Sequence, residues 1–152
     1  MVQQKQKPKP RVKRDTTYKG AAAKPVSGII PKTDNQGKLI KAIENSSQVI
    51  VFGPAGTGKT YVTTTMAADL YTLKKIDKIV ITRPMISVGK DIGILPGDLS
   101  EKVAPWALPV LDVLTKHIGK GAVETGIKNG NIEMAPLALM RGRSFDEAFI
   151  IC

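Results

Sequence analysis

The octapeptide at residues 53–60 reads Gly53-Pro54-Ala55-Gly56-Thr57-Gly58-Lys59-Thr60 and has the complete pattern G-x-x-x-x-G-K-[ST]. Its glycines allow the backbone to turn tightly enough for successive N–H groups to point at one anion. The start of a following helix adds free N–H groups and the positive end of its dipole. The pattern predicts a phosphate-binding loop (P-loop) in which Lys59 reaches the phosphates and Thr60 ligates Mg²⁺. An ordinary glycine-rich turn is the weaker interpretation, because it would not require Lys followed by Thr.

The segments on either side of this loop favour an α/β fold. The apolar, β-branched run at residues 48–52 predicts a buried strand that leads into the loop. Residues 59–74 carry apolar side chains at near-helical spacing, and residues 78–82 read as a second buried strand. A strand, a helix and a strand within about 35 residues form a βαβ unit. We therefore expect a parallel sheet with a right-handed crossover.

The rest of the chain contains an irregular stretch and several short elements. Residues 84–109 are rich in glycine and proline and are too irregular for one helix. The other predicted elements are a helix at 37–45, a helix at about 108–118, a turn at Asn129-Gly130, a short strand at 132–134 and a buried strand at 148–152.

The positive charge of the chain is concentrated at its start. The 152 residues carry a formal net charge of +10. Residues 1–24 hold eight Lys or Arg and one acidic residue, so they contribute +7 of it. Residues 1–30 have few large apolar side chains and cannot bury enough surface to offset their ordering entropy. They predict a disordered basic arm, either a solubilising tail or a nucleic-acid contact, and residues 31–152 are predicted to form the domain.

Cysteine and histidine are too scarce for a disulfide framework or a histidine-based metal site. Cys152 is the single cysteine, which fits a reducing compartment, and His117 is the single histidine and is expected to be a surface residue. The sequence has no run of eighteen apolar residues and no apolar signal region near its start. These features predict a cytoplasmic protein without a membrane partner.

A P-loop enzyme also needs a carboxylate that holds Mg²⁺ and orients the attacking water. Asp146-Glu147 precedes its predicted strand, whereas ligands in open parallel sheets lie beyond the carboxyl ends of the strands. We therefore interpret the pair as surface residues. Asp98 and Glu101 are the substitutes by loop placement, although they are more easily explained as residues that fix the loop. The chain is expected to bind nucleotide without measurable turnover and to be a fragment that ends where the acidic motif would begin.

From about Thr33 onward the sequence resembles the PhoH-like family of ATP-binding P-loop proteins, which are related to superfamily 1 helicase cores. Four stretches carry the resemblance, and their order and spacing match. They are Thr33-Asp34-Asn35-Gln36, the P-loop followed by Tyr61, the block from Thr82-Arg83-Pro84 through Leu95-Pro96-Gly97-Asp98-Leu99 to Glu101-Lys102, and Pro136-Leu137 with Arg141-Gly142-Arg143-Ser144-Phe145.

The resemblance implies a three-layer, RecA-like P-loop NTPase fold whose parallel sheet is incomplete at its C-terminal end. In such folds a strand that comes later in the chain lies between the P-loop strand and the acidic-motif strand, so a gap is expected. Gln36 would face the adenine of ATP, and Arg83 would lie beside the nucleotide or a nucleic-acid track. The implied ligands are ATP and Mg²⁺. ATP hydrolysis, action on RNA or single-stranded nucleic acid, and assembly as a homo-oligomeric ring are implied for the full-length family.

Two other functions remain open. A P-loop kinase would pass phosphate to a small molecule, but kinases usually carry an arginine-rich lid that is not evident in this sequence. A nucleic-acid-binding module with an inert P-loop would fit the basic arm and the missing acidic motif. Arg141 and Arg143 would by themselves be weak candidates for a site, because a lone arginine is usually solvated or salt-bridged.

Overall fold

The computed structural model describes residues 28–84 and 99–152. The predicted basic arm falls mainly on residues 1–27 and therefore lies outside the described residues. Residues 85–98 of the predicted irregular stretch also lie outside them. In chain order the elements are α1 (Asp34–Asn45), α2 (Lys59–Thr72), β1 (Lys78–Arg83), α3 (Leu99–Ile118), α4 (Lys120–Lys128), β2 (Ile132–Pro136), a 3-10 turn (Leu137–Met140) and β3 (Ala148–Ile151).

The three strands form one parallel sheet in the order β2-β1-β3. In the central strand, Ile79 lies opposite Ile132 of β2 and Phe149 of β3. The expected α/β class with a parallel sheet is confirmed. Because these strands run in the same direction, the chain must return between them: α3 and α4 connect β1 to β2, and the segment with the 3-10 turn connects β2 to β3.

The main core lies between the sheet and helices α2, α3 and α4. Ile79 and Ile81 of β1 point into it because alternate residues of a strand face the same side. The helices contribute small or branched side chains at helical spacing, and most are fully buried. The buried residues are Ala67 and Ala68 of α2, Ala107, Val110 and Leu114 of α3, Val123 of α4, and Ile132 of β2.

Helix α2 is surrounded by other elements, so most of its length is buried. Its Ala67 and Ala68 belong to the main core, whereas Val62 and Met66 pack with Ile40 of α1 in a second cluster. The N-terminus of α1 is capped by the Thr33 hydroxyl, which accepts a hydrogen bond from the Gln36 amide. Packing on α2 therefore brings the capped end of α1 to the start of the P-loop helix.

Several predicted elements are confirmed with small changes in their bounds. The helix predicted at 37–45 begins at Asp34, and the helix predicted at 59–74 ends at Thr72. The strand predicted at 78–82 extends to Arg83, and the strand predicted at 132–134 extends to Pro136. The predicted turn is also present, with Gly130 at a φ of +75°.

The strand predicted at residues 48–52 is wrong for this structure. These residues pair with none of the three strands, and Ile50 and Phe52 are 72% and 90% exposed. A strand persists only when a neighbour satisfies its backbone hydrogen bonds, and residues 48–52 form no such pairing within the described residues.

The irregular stretch predicted at 84–109 is wrong over its last eleven residues, because α3 already begins at Leu99. Pro105 and Pro109 lie inside this 20-residue helix, although an interior proline removes one hydrogen bond and destabilises a helix by about 3 kcal/mol. Burial of Ala107, Val110 and Leu114 against the main core offsets that loss. The sequence prediction gave too much weight to proline and too little to this packing.

Two further differences concern the C-terminal half. Helix α4 was not predicted; its nine residues include two glycines, which lower helix propensity, and only two large apolar side chains, Val123 and Ile127. The strand predicted at 148–152 is present as β3, but it is not fully buried. It forms an edge of the described sheet, and Ile150 is 45% exposed.

Candidate functional site

The segment from Gly53 to Gly58 forms a loop that turns directly into α2. Gly56 and Gly58 have φ angles of +77° and +83°, a left-handed conformation that glycine adopts without strain. Gly58 occupies the N-cap position of α2, so Lys59 and Thr60 lie in the first turn of the helix. The first amides of a helix have no partner within the helix and can bind an anion. The backbone therefore has the shape that the motif predicted.

The Lys59 ammonium group lies inside this loop. Its Nζ donates hydrogen bonds to the carbonyl oxygens of Gly53 at 2.9 Å and Pro54 at 2.6 Å, and it lies 3.3 Å from the Thr57 hydroxyl. The same hydroxyl donates to the Pro54 carbonyl at 3.0 Å. These contacts place one positive charge among the loop residues and connect the two ends of the loop.

Gln36 reaches the loop from α1, 21 residues earlier in the chain. Its Nε2 donates a hydrogen bond to the Thr57 carbonyl at 3.1 Å, while its Oε1 accepts one from the Lys32 amide at 2.8 Å. A Cβ atom at Gly58 would lie 3.0 Å from Gln36 Nε2, so glycine allows this close approach. The structure therefore brings together Gln36, Lys59 and the loop, which the sequence analysis had assigned to one site.

Tyr61 follows the loop and lies beside His117 from the end of α3. The ring centroids are 6.1 Å apart, and His117 Nε2 is within hydrogen-bond distance of the buried Thr65 hydroxyl at 3.1 Å. One turn further along α2, burial raises the pKa of the Asp69 carboxyl, an effect that the nearby His117 partly opposes. His117 is exposed as expected, but sequence spacing alone gave no indication that it contacts the P-loop helix.

The remaining residues predicted for the site are exposed. Thr60 is exposed in the first turn of α2, where its hydroxyl could serve as an oxygen ligand. Arg83 is exposed at the carboxyl end of β1, and no hydrogen bond joins it to the loop within the described residues. Pro54 and Ala55 are exposed loop residues.

The two arginines of the Arg141-Gly142-Arg143 stretch differ in their surroundings. Arg143 forms a two-point salt bridge with Glu133 of β2, with one contact at 3.0 Å, and it also lies over the Phe145 ring. Lys78 of β1 approaches the same carboxylate at 3.4 Å. Arg141 is exposed. The salt bridge of Arg143 therefore connects the segment before β3 to strand β2.

No carboxylate lies at the carboxyl end of a strand in the described part of the chain. Those ends carry Arg83, Pro136 and Ile151, whereas Asp146 and Glu147 are exposed and precede β3, as predicted. Asp98 lies outside the described residues, and so does the Glu101 side chain. Within residues 28–84 and 99–152, no three His, Cys, Asp or Glu side chains are grouped to hold a metal ion.

Within the described residues, no helix is both long enough and apolar enough to cross a membrane.

An α/β domain with a parallel sheet and a Gly-Lys-Thr loop at the start of a helix has the architecture of P-loop proteins. Comparison with known sequences identifies the family. The sequence model of the PhoH-like protein family matches residues 28–152. The chain belongs to the PhoH-like family.

Named relatives support the same assignment. The chain is 39% identical to Protein PhoH of Escherichia coli K12 over 127 residues, which are 82% of this chain and 36% of that protein. It is 42% identical to the PhoH-like protein of Bacillus subtilis over 120 residues, 79% of this chain and 38% of the relative. The Mycobacterium bovis PhoH-like protein is 42% identical over 123 residues, 81% of this chain and 35% of the relative. The chain thus spans little more than a third of the length of these relatives.

Proposed function

We propose that this chain binds ATP together with Mg²⁺ at the loop formed by residues 53–60. The observation that carries the proposal is the position of Lys59. Its ammonium group lies within hydrogen-bond distance of three loop residues, and Lys59 itself begins α2. A cation and several unpaired N–H groups directed at one region form an anion site suited to the phosphates of a nucleotide.

The residues present also fit Mg²⁺. The ion prefers oxygen ligands and usually keeps several waters beside the substrate phosphates, so one protein hydroxyl can be sufficient. Thr60 is exposed in the helical turn after Lys59 and would supply that hydroxyl. When bound, the ion would neutralise part of the phosphate charge. Membership of the PhoH-like family supports the general assignment to nucleotide binding.

The proposal for the described domain is binding and not turnover. Hydrolysis needs a carboxylate near the phosphates to organise the ion and the attacking water, and the strand ends within the described residues carry none. Hydrolysis, action on RNA and ring assembly are therefore proposed only for a longer PhoH-like polypeptide. The arginine-rich lid of a small-molecule kinase has no counterpart in the described residues, so nothing favours the kinase alternative.

Substitution of the lysine tests this function. Lys59→Ala removes the cation that would face the phosphates, so ATP affinity should fall by about 2 kcal/mol or roughly thirtyfold. Isothermal calorimetry with ATP and Mg²⁺ measures the change. Lys75→Ala is the matched control, because Lys75 is exposed just beyond the other end of α2. Equal ATP affinity in Lys59→Ala and the parent would refute the proposal.

A further inference from the structure

Gln36 touches the phosphate-binding loop at one defined peptide group. Its Nε2 donates to the carbonyl oxygen of Thr57, which belongs to the peptide between Thr57 and Gly58. That peptide bond is trans. Because a trans peptide is planar, its C=O and N–H groups point in opposite directions. A carbonyl held toward Gln36 therefore directs the Gly58 N–H away from Gln36.

The side chain of Gln36 is itself held in place from two directions. Its Oε1 accepts a hydrogen bond from the Lys32 amide, and at its other end the Gln36 backbone lies in the first turn of α1. The helix behind it is anchored, because Ile40 packs against Val62 and Met66 of α2. The carboxamide is therefore attached to a supported element, so it can restrain the loop.

The loop needs such a restraint at Gly58. This residue has a φ of +83° and no side chain, so its backbone has few conformational limits of its own. Within the described residues its N–H donates no hydrogen bond. An unpaired N–H at the N-cap of a helix is the kind of donor that binds a phosphate oxygen.

We propose that Gln36 is a positioning residue for phosphate, because it holds the Thr57–Gly58 peptide with the Gly58 N–H free to bind an anion. This role differs from contact with a base, and it predicts that Gln36 matters for ligands that contain no base. The inference rests on the proposed nucleotide-binding function and deepens it.

Tripolyphosphate, which has no base or ribose, separates the two roles. Gln36→Met keeps the length of the side chain but has no amide donor, so the Thr57–Gly58 peptide becomes free to rotate. Tripolyphosphate affinity, measured by calorimetry in the full 152-residue chain with Mg²⁺, should fall about three- to tenfold, the effect of one hydrogen bond. ATP affinity should fall by at least the same factor.

Two variants control for local damage. Thr33→Ala removes the N-cap of α1, but the carboxamide keeps its contacts with Lys32 and Thr57, which do not involve the Thr33 side chain. This variant should therefore be less stable to urea while its tripolyphosphate affinity stays near that of the parent. Asn35→Ala changes the exposed neighbour of Gln36 and should leave both properties unchanged. A purely structural role of Gln36 would instead reduce tripolyphosphate affinity in Thr33→Ala and Gln36→Met alike, and that result would overturn the inference.

Amide NMR gives an independent readout at the residue concerned. The Gly58 N–H signal should shift when tripolyphosphate is added to the parent, and the shift should shrink in Gln36→Met. If Gln36→Met loses ATP affinity but binds tripolyphosphate like the parent, the residue only reads the base and the inference is wrong. If the parent binds neither ligand, the proposed function fails first, so the two failures are distinguishable.

Discussion

At the scale of single residues, the most informative interaction outside the loop joins Glu133 to Arg143. Hydrogen bonding from Arg143 lowers the pKa of the Glu133 carboxyl, partial burial opposes this effect, and Lys78 adds to the lowering. The sequence indicated only that Arg143 belongs to a family motif. Its partner is ten residues away on β2, and no spacing rule connects the two positions.

The lowered pKa of Glu133 determines how this interaction depends on pH. When a carboxyl has a lower pKa in the folded than in the unfolded protein, it stabilises the fold fully at pH values above its unfolded pKa. That stabilisation is lost as the pH falls through the folded pKa. Glu133→Gln should therefore lower the urea midpoint at pH 7, modestly because the pair is partly exposed. The difference from the parent should shrink as the pH falls below about 4.3, the ordinary pKa of a glutamate carboxyl, and through the lowered pKa of the folded state.

Glu124→Gln provides the matched control for this measurement. Glu124 forms a solvent-exposed pair with Lys120 at 3.8 Å, and such pairs contribute little. Its urea midpoint should remain near that of the parent at both ends of the pH range. A Glu133→Gln variant whose midpoint differs equally from the parent at pH 7 and pH 3 would contradict the expected contribution of the charge.

At the scale of elements, the contact between α4 and β2 depends on a glycine. A Cβ atom at Gly126 would lie 2.8 Å from Cδ1 of Ile132, which is only 1% exposed and cannot easily move. Gly121 in the same helix has nothing within 4 Å of a Cβ position. One helix therefore contains two glycines with opposite structural requirements.

These glycines give a paired prediction for stability. Gly121→Ala should stabilise the protein by about 0.5–1 kcal/mol, because alanine is the better helix former. Gly126→Ala should instead destabilise it by about 1–3 kcal/mol, because overpacking against Ile132 outweighs the gain in propensity. Urea unfolding measures both changes. Adding Ile132→Val to Gly126→Ala should recover part of the loss, and a stabilising Gly126→Ala alone would refute the close contact.

The sequence predicted those elements whose local pattern and tertiary packing agree. Val62, Met66 and Ala67 of the predicted apolar stripe of α2 are buried, and so is the β-branched run of β1, whereas Leu73 at the end of the stripe is 54% exposed. Residues 48–52 have an equally strong strand pattern but no neighbouring strand, and strand pairing cannot be read from a local window. Proline signals obscured the first half of α3, whose stability comes from the core.

The candidate site was likewise predictable from the sequence only in part. The motif located Lys59 and the loop, and the family resemblance assigned Gln36 to the same site. The hydrogen bond from Gln36 to the Thr57 carbonyl required coordinates, because it joins residues 21 positions apart. The proximity of His117 to Tyr61 and Thr65 likewise depends on how α3 packs against α2.

At the scale of the whole molecule, the described sheet has an unpaired edge at β3. Ile150 on this edge is 45% exposed, and the segment before the P-loop also exposes Ile50 and Phe52. An edge strand with unpaired backbone groups and apolar side chains can pair with another chain. We therefore expect the 152-residue chain to associate with itself as its concentration rises.

A charged residue on this edge should weaken that association. Ile150→Lys places an ammonium group on β3, the usual protection of natural edge strands. Sedimentation velocity over a concentration series should show less oligomer than for the parent. Leu73→Lys is the control, because Leu73 is 54% exposed just beyond α2 and is not part of the sheet. A parent that remains monomeric throughout the series would contradict the prediction.

The hydrogen bonds of Lys59 also affect how long a ligand would remain bound. The ammonium group already has partners in the carbonyl groups of Gly53 and Pro54, so a phosphate would exchange these bonds for its own. Such an exchange yields less net free energy than contact with a lysine lacking other partners. When a phosphate leaves, the same carbonyls can receive the ammonium group again. Under the proposed function this lowers the barrier to dissociation, so the site is suited to short residence times and rapid replacement of one nucleotide by the next.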